Sequence, residues 1–238
     1  MSDRKHELSV EINAPKERVW DALTVPSELV KWLAPIAEVE PGVGGKIDIG
    51  WTPEMKGSSE ILEWQPNEKL TKTAGGGQRI EFIISGEGGT TTLRLVQSGF
   101  SADSSFDDEF ESTRGGWLTF FAILRYGLER HPGVPGENVT VLGSVPAPRD
   151  SAWPHVPKPS QALGRETREI AQPAPGYLVA SVPDLNDSLL AVFCEACGPA
   201  TYVTYSAYLF GDARSHAAEI RERLNQALST AVSVSAAG

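Results

Sequence analysis

The sequence has 238 residues, enough for one large domain or two small ones, and its 40% apolar and 22% charged residues are ordinary for a globular protein that folds in water. With 31 acidic and 21 basic residues it carries a net charge of −10, which argues against nucleic acid and anionic membranes as partners, because both are bound through clustered Lys and Arg. It has no apolar run of about 18 residues to predict a membrane span, and its polar start predicts no secretory signal, so we expect a cytoplasmic protein.

The first 24 residues predict a strand followed by a helix. Residues 7–12 alternate between apolar and polar side chains, as in a half-buried strand. Asn13 can then cap a helix, and Pro15 is tolerated in its first turn. A second short helix is predicted to start at Pro26.

The next part of the sequence predicts an antiparallel meander. Alternating segments separated by turns rich in Gly, Pro and Asn lie at 46–51, 57–64, 69–73, 78–84 and 90–100. In one of them, alternation places Ile61 on the opposite face from Leu62 and Trp64.

A long helix follows the meander. Ser104 or Ser105 can cap it, and the acidic residues after them suit the positive end of the helix dipole. Its apolar positions fall on one face: Trp117, Phe121, Leu124 and Leu128. Gly115 and Gly116 each cost about 1 kcal/mol of helix propensity, which indicates either close packing or a kink.

Nine prolines crowd residues 132–175, which predicts a linker or an extended arm with one strand-like piece at 138–145. Three strands are predicted after it, at 177–182, 188–194 and 201–210, and then a helix with an apolar stripe that Asp212 can cap. We therefore expect a first domain at 1–131, the Pro-rich stretch, and a small α+β unit at 176–238.

The order and spacing of several short motifs in the first half resemble a known family. These motifs are Ile12 to Pro15, Val19 to Thr24, Trp32 after Pro26, Pro41 to Gly45, Glu63 to Leu70, Thr90 to Leu93, Gly99 with Phe100, Gly116 with Trp117, and Leu124. Together they are similar to the Activator of Heat-Shock-Protein-Ninety ATPase homologues, within the SRPBCC superfamily of START-like and birch-pollen-allergen-like domains. The resemblance covers residues 7–131 and implies a helix-grip fold, in which a curved antiparallel sheet wraps a long C-terminal helix.

The resemblance also implies an apolar cavity between the sheet and the long helix. We expect this cavity to bind a hydrophobic small molecule that is lipid-, sterol- or polyketide-like. Six aromatic residues are the predicted lining, namely Trp51, Phe82, Phe100, Phe110, Trp117 and Phe121. The alternative is that these rings fill a packed hydrophobic core and leave no cavity.

Two other functions stay open at this stage. One is a co-chaperone-like protein-interaction module, linked to the stress response and with a chaperone as partner. The other is a cyclase- or hydrolase-type enzyme acting on a hydrophobic substrate. Binding without catalysis is favoured, no cofactor is expected, and the oligomeric state is open, a dimer included.

The sequence gives only weak support for two candidate chemical sites. Cys194 and Cys197 have the spacing of a redox pair or half a zinc site, but no second pair of cysteines exists, so we expect ordinary thiols and no bound metal. Four carboxylates lie on the predicted sheet and could act as a general acid and base, but strand carboxylates are mostly solvated. They are Asp48, Glu60, Glu63 and Glu81. No catalytic residue is predicted.

Overall fold

The computed structural model describes residues 4–235, which form an α+β fold of two compact units. The first unit contains residues 4–106 and 124–133, and the second contains residues 107–123 and 134–235. The α+β class and the helix-grip order of elements predicted from the sequence are confirmed. Within this part of the chain, no helix is both long and apolar enough to cross a membrane.

The first unit is built on a seven-stranded antiparallel sheet. Its strands are β1 (Arg4–Ile12), β2 (Ile36–Glu40), β3 (Lys46–Gly50), β4 (Lys56–Gln65), β5 (Lys69–Thr73), β6 (Arg79–Ser85) and β7 (Thr91–Phe100). They lie in the order β1-β7-β6-β5-β4-β3-β2. The helices of the same half are α1 (Lys16–Thr24), α2 (Pro26–Leu29) and α3 (Asp107–Arg130), and the end of α3 from Leu124 onward belongs to this unit.

One face of this sheet, the inner face, carries the core of the first unit. Strand pairing places buried apolar residues opposite one another across it, for example Leu8 opposite Leu95, Leu95 opposite Phe82, and Phe82 opposite Leu70. Helix α1 packs on this face through Trp20, whose ring meets that of Trp64 edge-on at 4.9 Å. The hydrophobic effect therefore sets which face is inner, because these side chains leave water together.

Polar contacts hold the start of α1 in place. The helix begins after Pro15, so Asn13 does not cap it as predicted. Instead, the backbone N–H and the side-chain amide of Asn13 both donate to Glu129 Oε1, at 2.9 and 3.1 Å. The buried hydroxyl of Thr91 donates to the carbonyl oxygen of Ala14 at 2.6 Å. These bonds join α1 to the last turn of α3 and to the start of β7.

Two features of the sheet differ from the sequence prediction. A bulge in β4 between Ile61 and Glu63 shifts the alternation by one residue, so Ile61 and Trp64 share the inner face instead of lying on opposite faces. Strand β2 was not predicted at all. It is a short edge strand whose apolar residues are only half-buried, so its alternation is weak.

The second unit contains a five-stranded antiparallel sheet. Its strands are β8 (Gly136–Val145), β9 (Arg168–Ala171), β10 (Tyr177–Val182), β11 (Ser188–Cys197) and β12 (Ala200–Phe210), in the order β8-β12-β11-β10-β9. Two short helices, α4 (Arg149–Ala152) and α5 (Pro159–Leu163), precede β9, and α6 (Ala217–Ser235) follows β12. Helix α6 packs on β8 and β12 and buries Ile220, Leu224 and Ala227, as its apolar stripe predicts.

The Pro-rich residues 132–175 contain more regular structure than their composition indicates. They supply β8 and β9, which are the two edge strands of the second sheet, as well as α4 and α5. Their prolines are compatible with this because they lie between elements or at a helix start, as Pro159 does in the first turn of α5. Ala152, Val156 and Leu163 are buried in the core of the second unit.

Gly115 explains the two glycines in the long helix. A Cβ at Gly115 would lie 2.5 Å from the Tyr177 ring, closer than side-chain atoms approach one another. The ring is held there because the Tyr177 hydroxyl donates to the Ser112 carbonyl oxygen at 2.9 Å. A Cβ at Gly116 would meet only Glu195 Oε1, at 3.8 Å. Close packing therefore explains one of the two glycines, because only position 115 has no room for a side chain.

This difference predicts opposite effects for two neighbouring substitutions. Gly115→Ala should lower the free energy of unfolding by about 1–3 kcal/mol, because the new methyl group collides with a ring that cannot move away. Gly116→Ala should leave it unchanged or raise it by up to about 1 kcal/mol through helix propensity. Urea unfolding followed by circular dichroism measures both, and equal effects at the two positions would contradict this account of Gly115.

Candidate functional site

The inner face of the first sheet carries a line of buried polar side chains, which we call the polar row. Its members are His6 on β1, Gln97 on β7, Lys72 on β5 and Ser59 on β4. Each is less than a tenth exposed. Strand pairing puts His6 opposite Gln97, while Ile80 lies between Gln97 and Lys72 and is opposite both. The polar row therefore crosses the sheet directly beside the apolar row of Leu8, Leu95, Phe82 and Leu70.

Lys72 is the least expected member of the polar row. It is 8% exposed, and its Nζ donates to Ser59 Oγ at 3.1 Å. Among residues 4–235, no carboxylate forms an ion pair with it. Burial lowers the pKa of Lys72 from its ordinary value of 10.5 to about 8. The ammonium form is therefore destabilised where it lies, and nothing in the described chain compensates its charge.

Lys69 gives a direct contrast on the same strand. It lies on the outer face, where its Nζ binds Glu63 at 2.7 Å and Glu81 at 3.3 Å. These hydrogen bonds raise the pKa of Lys69 and, through the bond with Lys69, lower that of Glu63. Two of the four carboxylates considered as a general acid and base are thus ion-paired on the outer face. Of the other two, Glu60 is exposed and Asp48 is half-buried.

Three of the six predicted cavity residues belong to the first unit. Phe82 and Phe100 are buried, and Phe82 lies on the inner face. The Phe100 ring meets the His6 ring edge-on at 5.0 Å, which places it at the His6 end of the polar row. Trp51 directly follows the end of β3 and is half-buried.

The other three predicted residues lie on α3, in the second unit. Phe121 is buried, Phe110 and Trp117 are half-buried, and the rings of Trp117 and Phe121 are 6.4 Å apart. The shared helix face predicted for Trp117 and Phe121 thus brings these two rings together. A cavity lined by all six aromatic residues stays a prediction.

The second unit contains a half-buried acid, Glu195, that the sequence did not single out. Glu195 on β11 lies with its Oε1 at 3.4 Å from the Tyr177 hydroxyl, which itself donates to the Ser112 carbonyl oxygen. Burial raises the pKa of Glu195 and also that of Tyr177. The only sequence signal for this contact was the pair of glycines on α3, since Gly115 leaves room for the Tyr177 ring whose hydroxyl contacts the carboxyl group.

The two cysteines fall at the end of β11. Cys194 is fully buried, and its burial raises the pKa of the thiol to about 11, so it is a poor nucleophile at neutral pH. Cys197 is the last residue of the strand. Within the described residues, no group of three or more His, Cys, Asp or Glu side chains is arranged to hold a metal ion. The absence of a bound metal stays a prediction.

Comparison with known proteins agrees with the motifs of the first half. Residues 13–129 match the family model described as Activator of Hsp90 ATPase homolog 1-like protein. The match confirms the resemblance found in the sequence for this segment. No curated protein matches the sequence.

Several solved structures are similar to parts or all of the chain. A protein from Mesorhizobium loti is 27% identical, with 54% of this chain and 98% of that one covered at a TM-score of 0.46. The Aha1 dimer from Colwellia psychrerythraea is 22% identical, with 56% and 100% covered at 0.44. DynU16, a protein of the dynemicin biosynthetic locus, is 18% identical, and the similarity covers 98% of this chain and 100% of that one at 0.47.

Replacement of Lys72 by an apolar side chain of similar length should stabilise the protein. The lowered pKa of Lys72 means that its charge is a penalty in the folded state below about pH 8, and that this penalty disappears as the pH rises through 10.5. Lys72→Met should therefore raise the free energy of unfolding by about 1–3 kcal/mol near pH 7, and the gain should vanish above about pH 10. Urea melts at several pH values measure this.

Lys69→Met is the matched control on the outer face. It removes partly exposed ion pairs with Glu63 and Glu81 and should lower the free energy of unfolding by less than about 1 kcal/mol. A Lys72→Met variant that is less stable than the wild type at neutral pH would contradict the assignment of Lys72 as an uncompensated buried charge.

Glu195 predicts a pH dependence with the opposite sign from an ordinary paired carboxylate. Because its pKa is raised in the folded state, it costs no stability below its ordinary value of 4.5, and the penalty grows as the pH rises above that value. Glu195→Gln should therefore gain stability relative to the wild type as the pH increases from about 4 to 8.

Glu219 on α6 supplies the contrasting case in the same unit. Hydrogen bonds from His216, Arg165 and Arg223 lower its pKa to about 2, so its contribution is present above 4.5 and is lost as the pH falls through about 2. Glu219→Gln should lose stability relative to the wild type at neutral pH. If both variants show the same trend with pH, the assignment of Glu195 as a carboxylate destabilised by desolvation is wrong.

Proposed function

We propose that the protein binds a hydrophobic small molecule, lipid-, sterol- or polyketide-like, against the inner face of the first unit's sheet. Lys72, one member of the polar row, carries this proposal. Ligand sites combine a mostly apolar lining with a few placed polar groups, whereas a filled core buries polar groups only when they are well paired. Lys72 is buried and pairs with no carboxylate among residues 4–235, and the row lies beside apolar residues such as Leu70 and Phe82.

An enzyme acting on a hydrophobic substrate is the second candidate, because the same polar row could also contact reacting atoms. The spacing of the row favours binding over catalysis. Adjacent strands are about 4.8 Å apart, which places the backbone of Lys72 about 10 Å from that of Gln97 and about 14 Å from that of His6 along the sheet. A nucleophile and its base need direct hydrogen-bond contact, so Lys72 cannot act together with His6 or Gln97. Within the row, the enzyme candidate would have to rest on Lys72 with Ser59, whose hydroxyl it contacts at 3.1 Å.

The binding proposal predicts saturable binding of a neutral apolar probe, N-phenylnaphthylamine, with enhanced fluorescence and a stoichiometry of about one per chain. Phe82→Trp adds bulk on the inner face and should weaken the probe affinity by about tenfold or more. Ile83→Trp, at the next position on the outer face, should leave it within about twofold. The measurement is a fluorescence titration beside a urea melt of each variant.

The melt decides between a ligand site and a filled core. If the wild type gives no saturable binding and Phe82→Trp costs about 1–3 kcal/mol of stability, the inner face is a packed core and the binding proposal is dropped. The protein-interaction alternative would then be the better description. Equal weakening by both variants would mean that the probe does not bind at the inner face.

A further inference from the structure

Lys72 and Ser59 form a point of the inner face where hydrogen-bond donors are in excess. A lysine ammonium has three N–H donors and no acceptor, and one of these donors is used on Ser59 Oγ. The Ser59 hydroxyl accepts that bond, and its own proton remains available to donate. The described chain provides no carboxylate to receive the remaining donors of Lys72.

The donors of Lys72 and Ser59 favour some ligand groups over others. A cation would be repelled by Lys72, and a purely apolar group would leave its donors unsatisfied in a buried place, which is costly. An oxygen anion can accept from Lys72 Nζ and from the Ser59 hydroxyl together, and it supplies the charge that is missing there. Charge-assisted hydrogen bonds of this kind are short and about twice as strong as neutral ones.

We propose that Lys72 and Ser59 bind the anionic oxygen group, a carboxylate or an enolate-type oxygen, of an otherwise hydrophobic ligand that lies on the inner face. This inference rests on the proposed function and adds the chemical class of the ligand, an amphipathic organic acid. Its apolar part contacts the row of Leu70 and Phe82, and its acidic end reaches Lys72.

The net charge of the protein distinguishes a buried anion site from a general attraction of anions to the surface. At −10 the protein as a whole repels anions, so the surface does not favour an acidic probe over a neutral one. Lys69 does not provide an alternative anion site, since it already binds Glu63 and Glu81 on the outer face. A preference for the acidic probe that depends on position 72 must therefore come from the buried amine.

The test compares two probes that differ by one acidic group, anilinonaphthalene sulfonate and N-phenylnaphthylamine. In the wild type the sulfonate should bind about ten- to a hundredfold more tightly than the neutral amine, as expected for one or two hydrogen bonds to a charged group. In Lys72→Met the two affinities should come within about threefold of each other. Lys69→Met, the matched control, should keep the wild-type preference.

Ser59→Ala provides a second, independent variant. It should reduce the preference for the sulfonate only partly, since Lys72 stays charged. If Lys72→Met does not unfold cooperatively, Ser59→Ala is the variant that tests the anion site. Each protein is first required to unfold cooperatively in urea, so that binding of the sulfonate to a loosened chain is not mistaken for site binding.

The outcomes separate this inference from the proposed function. If both probes bind saturably with equal affinity, or if the preference survives in Lys72→Met, the anion-binding role is overturned while the binding proposal stands. If the preference survives in full in Ser59→Ala and Lys72→Met is unfolded, the pair is likewise rejected as the anion site. If neither probe binds the wild type saturably, the proposed function fails and the inference fails with it.

Discussion

The pairing register of the seven-stranded sheet determines which side chains share the inner face of the first unit. Successive residues of a strand point to opposite faces, so a slip of one residue would move Lys72 outward and bring Thr71 inward. Two irregularities adjust the register. One is the bulge after Ile61, and the other lies where β1 meets the end of β7. At the second, Gly99 adopts a φ of +87°, and a Cβ there would approach the backbone of Gln78 to 3.1 Å, so glycine suits this position best.

Two partly or fully desolvated ionisable groups, one in each unit, lower the free energy of unfolding of the protein. Lys72 is uncompensated when protonated, and Glu195 is penalised when ionised, because burial disfavours the charged form of each. At neutral pH both penalties operate at once. The difference between the groups is in their surroundings: the Glu195 carboxyl group lies 3.4 Å from the Tyr177 hydroxyl, whereas Lys72 donates to a serine hydroxyl whose own proton stays available to a ligand. That difference makes Lys72 the stronger candidate for contact with a ligand.

Much of the fold follows from short-range patterns, and the exceptions have physical causes. Alternation predicts β6 and β7 together with their inward residues, and the apolar stripe of α6 predicts its buried face, because each pattern reflects one buried side. The bulge in β4 could not be predicted from alternation, since it depends on pairing with the neighbouring strand. Residues 132–175 were difficult because proline frequency indicates where a chain turns and does not exclude strands between the turns. Lys72 could have been noticed, since it lies in phase with Leu70, but only the pairing with β4 and β6 reveals that its neighbours across the sheet are Ile61 and Ile80 and not acidic residues.

Helix α3 illustrates how a family boundary can differ from a physical one. The family match ends at residue 129, close to the end of the helix, yet residues 107–123 of that helix belong to the second unit. There Gly115 packs against Tyr177, and the Phe120 ring lies 5.3 Å from that of Phe193. A polypeptide truncated after the matched segment would keep this stretch of helix and lose the strands on which it packs. Its newly uncovered aromatic side chains would favour self-association. The first half expressed alone should therefore aggregate, whereas the whole chain should not.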